Sequence, residues 1–496
     1  MQDTMIKKRP NLIYLFADQL RYQACGFAGD PFAQTPNMDR LANQGISFIN
    51  ATSCSPVCAP YRASLLTGKY QSSHGLVINE LRLSPNHQCF GHVLTDHNYQ
   101  TAYIGKWHLW ANELGNHDKA RNAFVPPSPY RLGFDGYWAG YNFNHNSYNA
   151  SYFNNTCQPI PYKDYEPNAQ TEMAIEFIKD VYLKDDPFAL FLSWGPPHDP
   201  WHSENVPAEY ADVFKDVDIP FRPNYSAGQD PYADTWGNMG DDYANRLKDD
   251  MHGYYAQTAN IDWNLGKIVE AIEQLGIVED TILVFTSDHG EMFGSHGRCA
   301  KNIFYEEACR VPFLVRWSGE IPPESTTDTC LNTPDIMPTI LSLMDLPVPS
   351  EAEGNNLSHS AYGRSGFEPD AAFLQGMGTT AAWRNGTEWR ALRDKRYTYA
   401  VYRKDGKEYL FNNTTDPYQL TNLADNPSSR TQLKHYQDML VERMRGLNDM
   451  FENCCWYRDH WTVDRNIIRG AKGGSHDLEM LTEIIGQHYP SEVLAE

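Results

Sequence analysis

The sequence predicts an α/β protein, with a large, mostly parallel central sheet flanked by helices and a smaller C-terminal α+β domain carrying a short antiparallel sheet. Three observations predict it. Short apolar runs of strand length recur along the chain, helical patterns alternate with them, and beyond about residue 346 the alternation gives way to short strands and turns.

The apolar runs are residues 11–16 (NLIYLF), 101–107 (TAYIGKW), 188–194 (FALFLSW), 281–288 (TILVFTSD) and 312–317 (PFLVRW), each read as a buried strand. The clearest helix covers residues 259–275. Ile261, Leu265, Ile268, Val269, Ile272 and Leu275 fall on one face, and Gly276 stops it. Residues 346–356 (LPVPSEAEGNN) read as a linker, followed by strands and turns in 389–411 and a helix near 432–447. This divides the chain into a large N-terminal domain over 1–360 and a smaller domain over 361–496. The latter ends in an extension, beyond about Trp456, that can pack on a neighbouring subunit in a homo-oligomer. The Asn- and Tyr-rich piece 137–156 reads either as a surface insertion or as a wall of the substrate entrance.

Charge narrows the function classes. The 496 residues carry 41 Lys and Arg against 63 Asp and Glu, a net charge of −22, which excludes a general nucleic-acid binder or a partner of anionic membranes. A small anionic substrate remains compatible, because a few basic groups in a cleft outweigh a distant acidic surface. Aromatic residues are 13% of the chain, a composition that leans towards sugar or aryl surfaces. Basic residues before the apolar run at 12–17 superficially imitate a leader, but the run is too short and stops at Asp18. No stretch approaches a membrane span. The chain as given therefore reads as cytoplasmic, or as periplasmic or secreted if a leader has been removed. Ten cysteines without a CxxC pair give neither a zinc ribbon nor a thioredoxin-like centre.

In parallel sheets, functional groups collect at the carboxyl ends of strands. Three of the runs end in such groups: Asp18-Gln19, Lys106 with His108, and Asp288-His289. A carboxylate ending a buried strand is costly unless it caps a helix or holds a cation. Lys106 and His108, two apart, share a face if the strand continues.

Cys58 presents a separate question. As a thiol nucleophile it has no base in the adjacent sequence; a disulfide with Cys54 and a metal-ligand role are the other readings. The string CAPYRASLLTG, residues 58–68, resembles the signature C-x-P-x-R-x-x-x-L-T-G of the type I sulfatases. The resemblance continues in the family's order through residues 35–58, GKWH (105–108), GPPHDP (195–200), TSDHGEMFGSHG (286–297), KNIFYEEACRVPFLV (301–315) and DPYQLTNLA (416–424).

The resemblance implies an alkaline-phosphatase-like fold and a sulfuric ester hydrolase acting on a small-molecule or glycan sulfate ester, a carbohydrate first. It implies that a sulfatase-maturating enzyme oxidises Cys58 to formylglycine, whose hydrate attacks sulfur at one divalent metal. The implied ligands are Asp18, Gln19, the Cys58-derived side chain, Asp288 and His289. The sequence departs from a common family pattern, with Asp18-Gln19 for Asp-Asp and Asp288-His289 for Asp-Asn. Calcium is the family's usual metal, whereas an imidazole at His289 suits manganese or zinc. Arg62 is implied beside the nucleophile and Lys106 on a sulfate oxygen. His108 is implied in abstracting the proton that lets sulfate leave, and His198 with Lys301 in protonating the leaving alcohol. Asn79 matches a substrate-contacting asparagine of the choline-sulfatase-like branch. Trp110, Trp201, His202 and His296 flank the motifs and either line the leaving-group pocket or pack around it. Two alternatives stay open: a phosphonate monoester or phosphodiester hydrolase on the same scaffold, and a non-catalytic sulfated-sugar-binding protein.

Overall fold

The computed structural model describes residues 9–115, 117, 119–184, 186–240, 243–378, 387–463, 466–467 and 478–495. All five apolar runs form strands, and three further strands complete an eight-stranded sheet. In chain order these are β1 (Asn11–Ala17), β2 (Ile46–Phe48), β3 (Gln100–Lys106), β4 (Tyr137–Tyr141), β5 (Phe188–Trp194), β6 (Thr281–Ser287), β7 (Phe313–Arg316) and β8 (Ser325–Thr327). The spatial order is β8-β2-β7-β6-β1-β5-β3-β4. Only β7 runs against its neighbours, pairing antiparallel with both β6 and β2. The sheet is thus mixed at that point, and the long β6–β7 connection, residues 288–312, carries Asp288, His289 and Lys301.

The middle strands are apolar on both faces because both faces are covered. Tyr14, Phe16, Phe191 and Val284 point into one core layer, whereas Ile13, Leu15, Leu190, Leu192, Leu283 and Phe285 point into the other. Helix α1 (Pro36–Gln44), α3 (Glu166–Tyr182) and the 32-residue α4 (Tyr243–Gln274) cover the second face. The predicted helix over 259–275 is the C-terminal half of α4, and Gly276 ends it in the left-handed region at φ 68°. Helix α2 (Cys58–Thr67) and α5 (Thr333–Leu343) lie in the first layer. Every residue of α2 is buried, and Gly68, at φ 66°, closes it.

Strands β9 (Ala372–Gly376), β10 (Trp389–Arg393), β11 (Tyr397–Tyr402) and β12 (Glu408–Asn412) form the expected antiparallel sheet, in sequence order. Helix α6 (Arg430–Gly446) packs Tyr436 and Leu440 against Phe373, Leu392, Tyr399 and Leu410. The 346–356 segment is not a free linker: Glu353 and Gly354 donate backbone N–H groups to the Gly68 carbonyl, and Asn355 bonds Asp335.

The described part of the C-terminal extension packs on its own chain. Over 478–495 it returns to its own catalytic domain, where Leu481, Ile484 and Tyr489 join the first core layer. The RGAKGGSHD stretch, 469–477, lies outside the described residues. Among the described residues no helix is long and apolar enough to cross a membrane.

Candidate active site

Four adjacent strands, β6, β1, β5 and β3, deliver their carboxyl ends to one place. Asp288-His289 follow β6, Asp18-Gln19 follow β1, His198 follows β5, and Lys106 ends β3 with His108 just beyond. Gln19 and His108 adopt left-handed backbone at φ 70° and 61°. For non-glycine residues such conformations are costly and persist where the surroundings fix them.

Helix α2 aims its first residue at these ends. Cys58 Sγ lies 3.5 Å from Asp18 Oδ1, 3.2 Å from His289 Nε2 and 3.3 Å from Lys301 Nζ. One turn on, Arg62 donates from Nη2 to Asp18 Oδ2 (3.1 Å) and Asp288 Oδ2 (3.2 Å). From Nη1 it donates to the Lys106 carbonyl and Ser193 Oγ, each at 2.6 Å. Lys106 Nζ bonds Asp18 Oδ2 at 2.7 Å. These groups are all enclosed.

The electrostatics follow from that enclosure. Burial and Cys58 push Asp18 up, but Lys106, His198 and Lys301 outweigh them and hold it well below the usual carboxylate range. Burial and the nearby Asp18 charge raise Asp288. Burial pushes the Cys58 thiol up, yet Lys106, Lys301 and His289 pull it well below its ordinary value. Burial and Lys106 press His108 down to about 3.

The donor set fits a divalent cation. Ligating atoms of Asp18, Cys58, Asp288 and His289 all lie within 4.8 Å of one another and are buried. Arg62 and Lys106 already offset the two carboxylates, so the fit rests on the donors themselves: two carboxylate oxygens, an imidazole nitrogen and the side chain at position 58, close enough to share one ion. Gln19 stands beside this cluster with its amide engaged: Oε1 accepts from Lys301 Nζ at 2.7 Å, and Nε2 donates to Glu291 Oε2 at 2.6 Å.

On the outer side, His198 Nε2 is 2.8 Å from Lys301 Nζ, and its Nδ1 is 3.1 Å from Asp199 Oδ1. Burial and Lys301 press His198 down, but Asp199 and Asp18 raise it to about 9. A cleft of about 460 Å³ opens over this pair, and Trp201 and His202 line it. Asn79 also lines it, but its Oδ1 accepts the Ala59 N–H at 3.1 Å and so caps α2.

Trp110 and His296 take the other of the two readings, packing rather than lining the cleft. Trp110 is fully enclosed, 5.1 Å under Arg82 and 4.8 Å from Tyr130, with Nε1 donating to Tyr489 Oη at 3.2 Å. His296 stacks on Tyr305 at 3.8 Å and meets the Asn224 amide at 3.1 Å, outside the cleft.

Sequence reasoning missed several lining groups. Asp199 adjoins His198 in the PPHDP motif, which was the available signal. Phe143 and His145 belong to the 137–156 piece, which therefore forms a wall of the entrance in its middle and strand β4 at its start. Phe143 meets the His108 ring edge-on at 4.8 Å, and His145 stacks on His198 at 4.3 Å. Trp236, 5.6 Å from Lys301 Nζ, and Arg246 had no local signal.

Strand-end carboxylates facing a helix-borne residue, ringed by buried cations, define a hydrolase of esters of tetrahedral oxyacids. Comparison with known proteins specifies the class. The sulfatase family model matches residues 10–346, and the model described as N-sulphoglucosamine sulphohydrolase, C-terminal, matches residues 294–447. An ulvan-active sulfatase of Formosa agariphila is 33% identical over 93% of this chain and 85% of its own. An endo-4-O-sulfatase of Bacteroides thetaiotaomicron is 29% identical over 92% and 95% respectively. A solved structure from work on glycosaminoglycan metabolism by the same bacterium superposes with a TM-score of 0.77 at 28% identity, covering 92% of this chain and 99% of that one. A phosphonate monoester hydrolase of Agrobacterium radiobacter, at 21% identity and a TM-score of 0.69, shares the fold. The chain belongs to the sulfatase family, and it is a sulfatase.

Proposed function

We propose that the protein removes sulfate from a sulfated carbohydrate at the cleft over Cys58. The observation that carries the reading is Cys58 Sγ within 3.5 Å of Asp18, His289 and Lys301 at once, on a helix whose next turn brings Arg62 to both acids. Relatives with names such as ulvan-active sulfatase, endo-4-O-sulfatase and N-acetylglucosamine-6-O-sulfatase support a carbohydrate as substrate.

Conversion of Cys58 to formylglycine by a sulfatase-maturating enzyme supplies an oxygen nucleophile at this position and a means of releasing sulfate from it. Asp18, Asp288, His289 and the side chain at position 58, with Gln19 beside them, would hold one divalent cation, which supplies Lewis-acid polarisation. We assign calcium, with manganese or zinc as the alternatives His289 favours.

The remaining work falls to the chain's own groups. Lys106, Arg62 and Lys301 present fixed positive charge to the non-bridging sulfate oxygens, already oriented by Asp18, Asp288 and Gln19, so little reorganisation is needed as charge develops there. His108, held neutral by burial, stands ready to accept a proton at position 58. His198, aligned by Asp199 and touching Lys301, delivers a proton to the leaving alcohol oxygen.

The test joins two measurements on protein from its native host. The peptide spanning Cys58 should show the mass loss of thiol replaced by aldehyde. The same protein should release inorganic sulfate from members of a sulfated-glycan panel and leave matched phosphodiesters and phosphonates largely untouched. Dominant phosphonate turnover, or an unmodified thiol in active protein, would sink the reading.

A further inference from the structure

The two histidines given proton-transfer roles are each faced by a ring from one short stretch of the entrance wall, Phe143-Asn144-His145. Phe143 meets the His108 ring at 4.8 Å and 81°, and His117 stacks on Phe143 at 4.3 Å. His145 stacks on His198 at 4.3 Å and 21°. Rotation about the last side-chain bond of a histidine is soft, so something outside the residue must set each ring's tilt. For His108 it is packing, since neither ring nitrogen meets a hydrogen-bond partner in the protein. His198 is gripped at both nitrogens, by Asp199 and Lys301, and His145 supports its face.

Phe143 is only half-buried and His145 is exposed, so neither keeps its place by burial. A buried carboxylate holds the stretch instead. Glu166, the first residue of α3 and 1% exposed, accepts from Asn144 Nδ2 through Oε2 at 3.2 Å. Its Oε1 accepts from Gln170 Nε2 at 2.8 Å and from Tyr141 Oη. Its own N–H donates to the Ser147 carbonyl at 2.8 Å. These ties, at residues 141, 144 and 147, bracket both rings. The same carboxylate lies against the loop that carries His198. A Cβ on Gly195, where that loop starts, would meet Tyr141 Oη at 3.0 Å and Glu166 Oε1 at 3.3 Å.

A carboxylate this buried, with no ion pair among the described residues, is costly. An acid in the first turn favours a helix N-terminus without being buried, so the burial calls for a further role. We propose that Glu166 is a positioning residue for the sulfatase reaction. It fixes the 141–147 segment so that Phe143 sets the ring of His108 and His145 supports that of His198, one anchor serving both proton transfers. The proton-transfer roles rest on the function proposed above; the ring geometry does not.

The first measurement needs no turnover. In the full chain labelled with ¹³C at histidine Cε1, the signals of His108 and His198 are assigned by their loss in His108→Gln and His198→Gln. Glu166→Ala should move both and leave His359, against Gly366, and His435, beside Tyr436, in place. Burial pushes Glu166 up to about 7 although Tyr141 and Gln170 bond it, so a neutral amide is a close substitute, and Glu166→Gln should restore both signals. Asn144→Ala cuts only the tie to the stretch; it should also move both signals, and it decides the matter if Glu166→Ala does not fold. The second measurement is kcat on 4-nitrophenyl sulfate, counted per formylglycine. Glu166→Ala should lower it about tenfold, as a small misplacement of a proton acceptor implies. When Phe143→Ala and His145→Ala are already present, the same change should cost less than twofold, because the rings it acts through are gone. Unmoved histidine signals, no loss of kcat, or equal losses in the two backgrounds would overturn the proposal. Absence of sulfate-ester turnover in the unsubstituted enzyme would count against the proposed function, and the histidine signals would then decide the positioning by themselves.

Discussion

His198 is held at both ends of its ring, and that arrangement allows proton delivery to be separated from the rest of catalysis. Against burial and Lys301, Asp199 Oδ1, 3.1 Å from Nδ1, together with Asp18 raises His198 to about 9 and keeps the ring protonated. The proton on Nε2, on the Lys301 side of the ring, is therefore the one that serves the leaving oxygen. Asp199→Asn loses the charge that aligns and sustains this proton. A sugar alcohol needs protonation to leave, whereas 4-nitrophenolate does not. We expect kcat on a sulfated sugar to fall by about 10²-fold, with kcat on 4-nitrophenyl sulfate within about threefold of the unsubstituted enzyme. Equal losses on both substrates would mean that Asp199 only supports the local structure. The residues of this site were largely legible in the sequence, because Asp18, Lys106, His108, His198 and Asp288 each sit at or just beyond a strand end, where chain order predicts clustering. Trp236 and Arg246 were not, since only folding brings residues from distant loops to the cleft.

At the scale of an element, α2 carries the nucleophilic position and is held from both ends. Asn79 caps its start by accepting the Ala59 N–H at 3.1 Å. Asn79→Asp keeps that acceptor but places a negative charge at the edge of the sulfate site. The melting temperature should therefore change little while kcat/KM for a sulfate ester falls at least tenfold, and a parallel fall in both would assign Asn79 to structure alone.

Helix α5, packed against α2 in the first core layer, brings a pH dependence. Asp335 sits in its capping box, accepting the Asn332 N–H at 2.8 Å and the Asn355 N–H at 2.6 Å, and burial pushes it up to about 6. Its folded value lies above the unfolded carboxylate value of about 3.9, so the folded state holds the proton more tightly. This group's contribution is full below about pH 4 and is lost as pH rises through 6, a difference of roughly 2–3 kcal/mol. Between pH 5 and pH 8 the wild type should lose more melting temperature than Asp335→Asn, and matching losses would refute the assignment. The elements themselves were legible where they are long and apolar on both faces. Strands β2 and β8 have three residues each, too few for periodicity to register, and β4 is masked by its glycine and tyrosines. The direction of β7 has no sequence signature at all, because strand composition does not encode which way a strand enters a sheet.

For the whole molecule, the chain is closed by its own end. The sequence allowed the C-terminal extension to pack on a neighbouring subunit, since its composition gives no indication of what it covers. The structure lays it on the catalytic domain, where Tyr489, 4% exposed, accepts from Trp110 Nε1 at 3.2 Å and donates to the Phe124 carbonyl at 2.7 Å. Its ring packs 5.3 Å from that of Phe124. Tyr489→Ala would open a cavity beside Trp110 and orphan two polar groups, a loss of about 3–5 kcal/mol by analogy with large aromatic truncations. Deletion of residues 478–496 should cost at least as much, because Leu481 and Ile484 leave the same core layer. Both changes should lower the melting temperature of the domain that holds the catalytic cleft, and neither should alter the sedimentation coefficient in the direction of smaller oligomers. Dissociation on truncation, with the melting temperature of the separated chains unchanged, would return the extension to the role of an intersubunit arm.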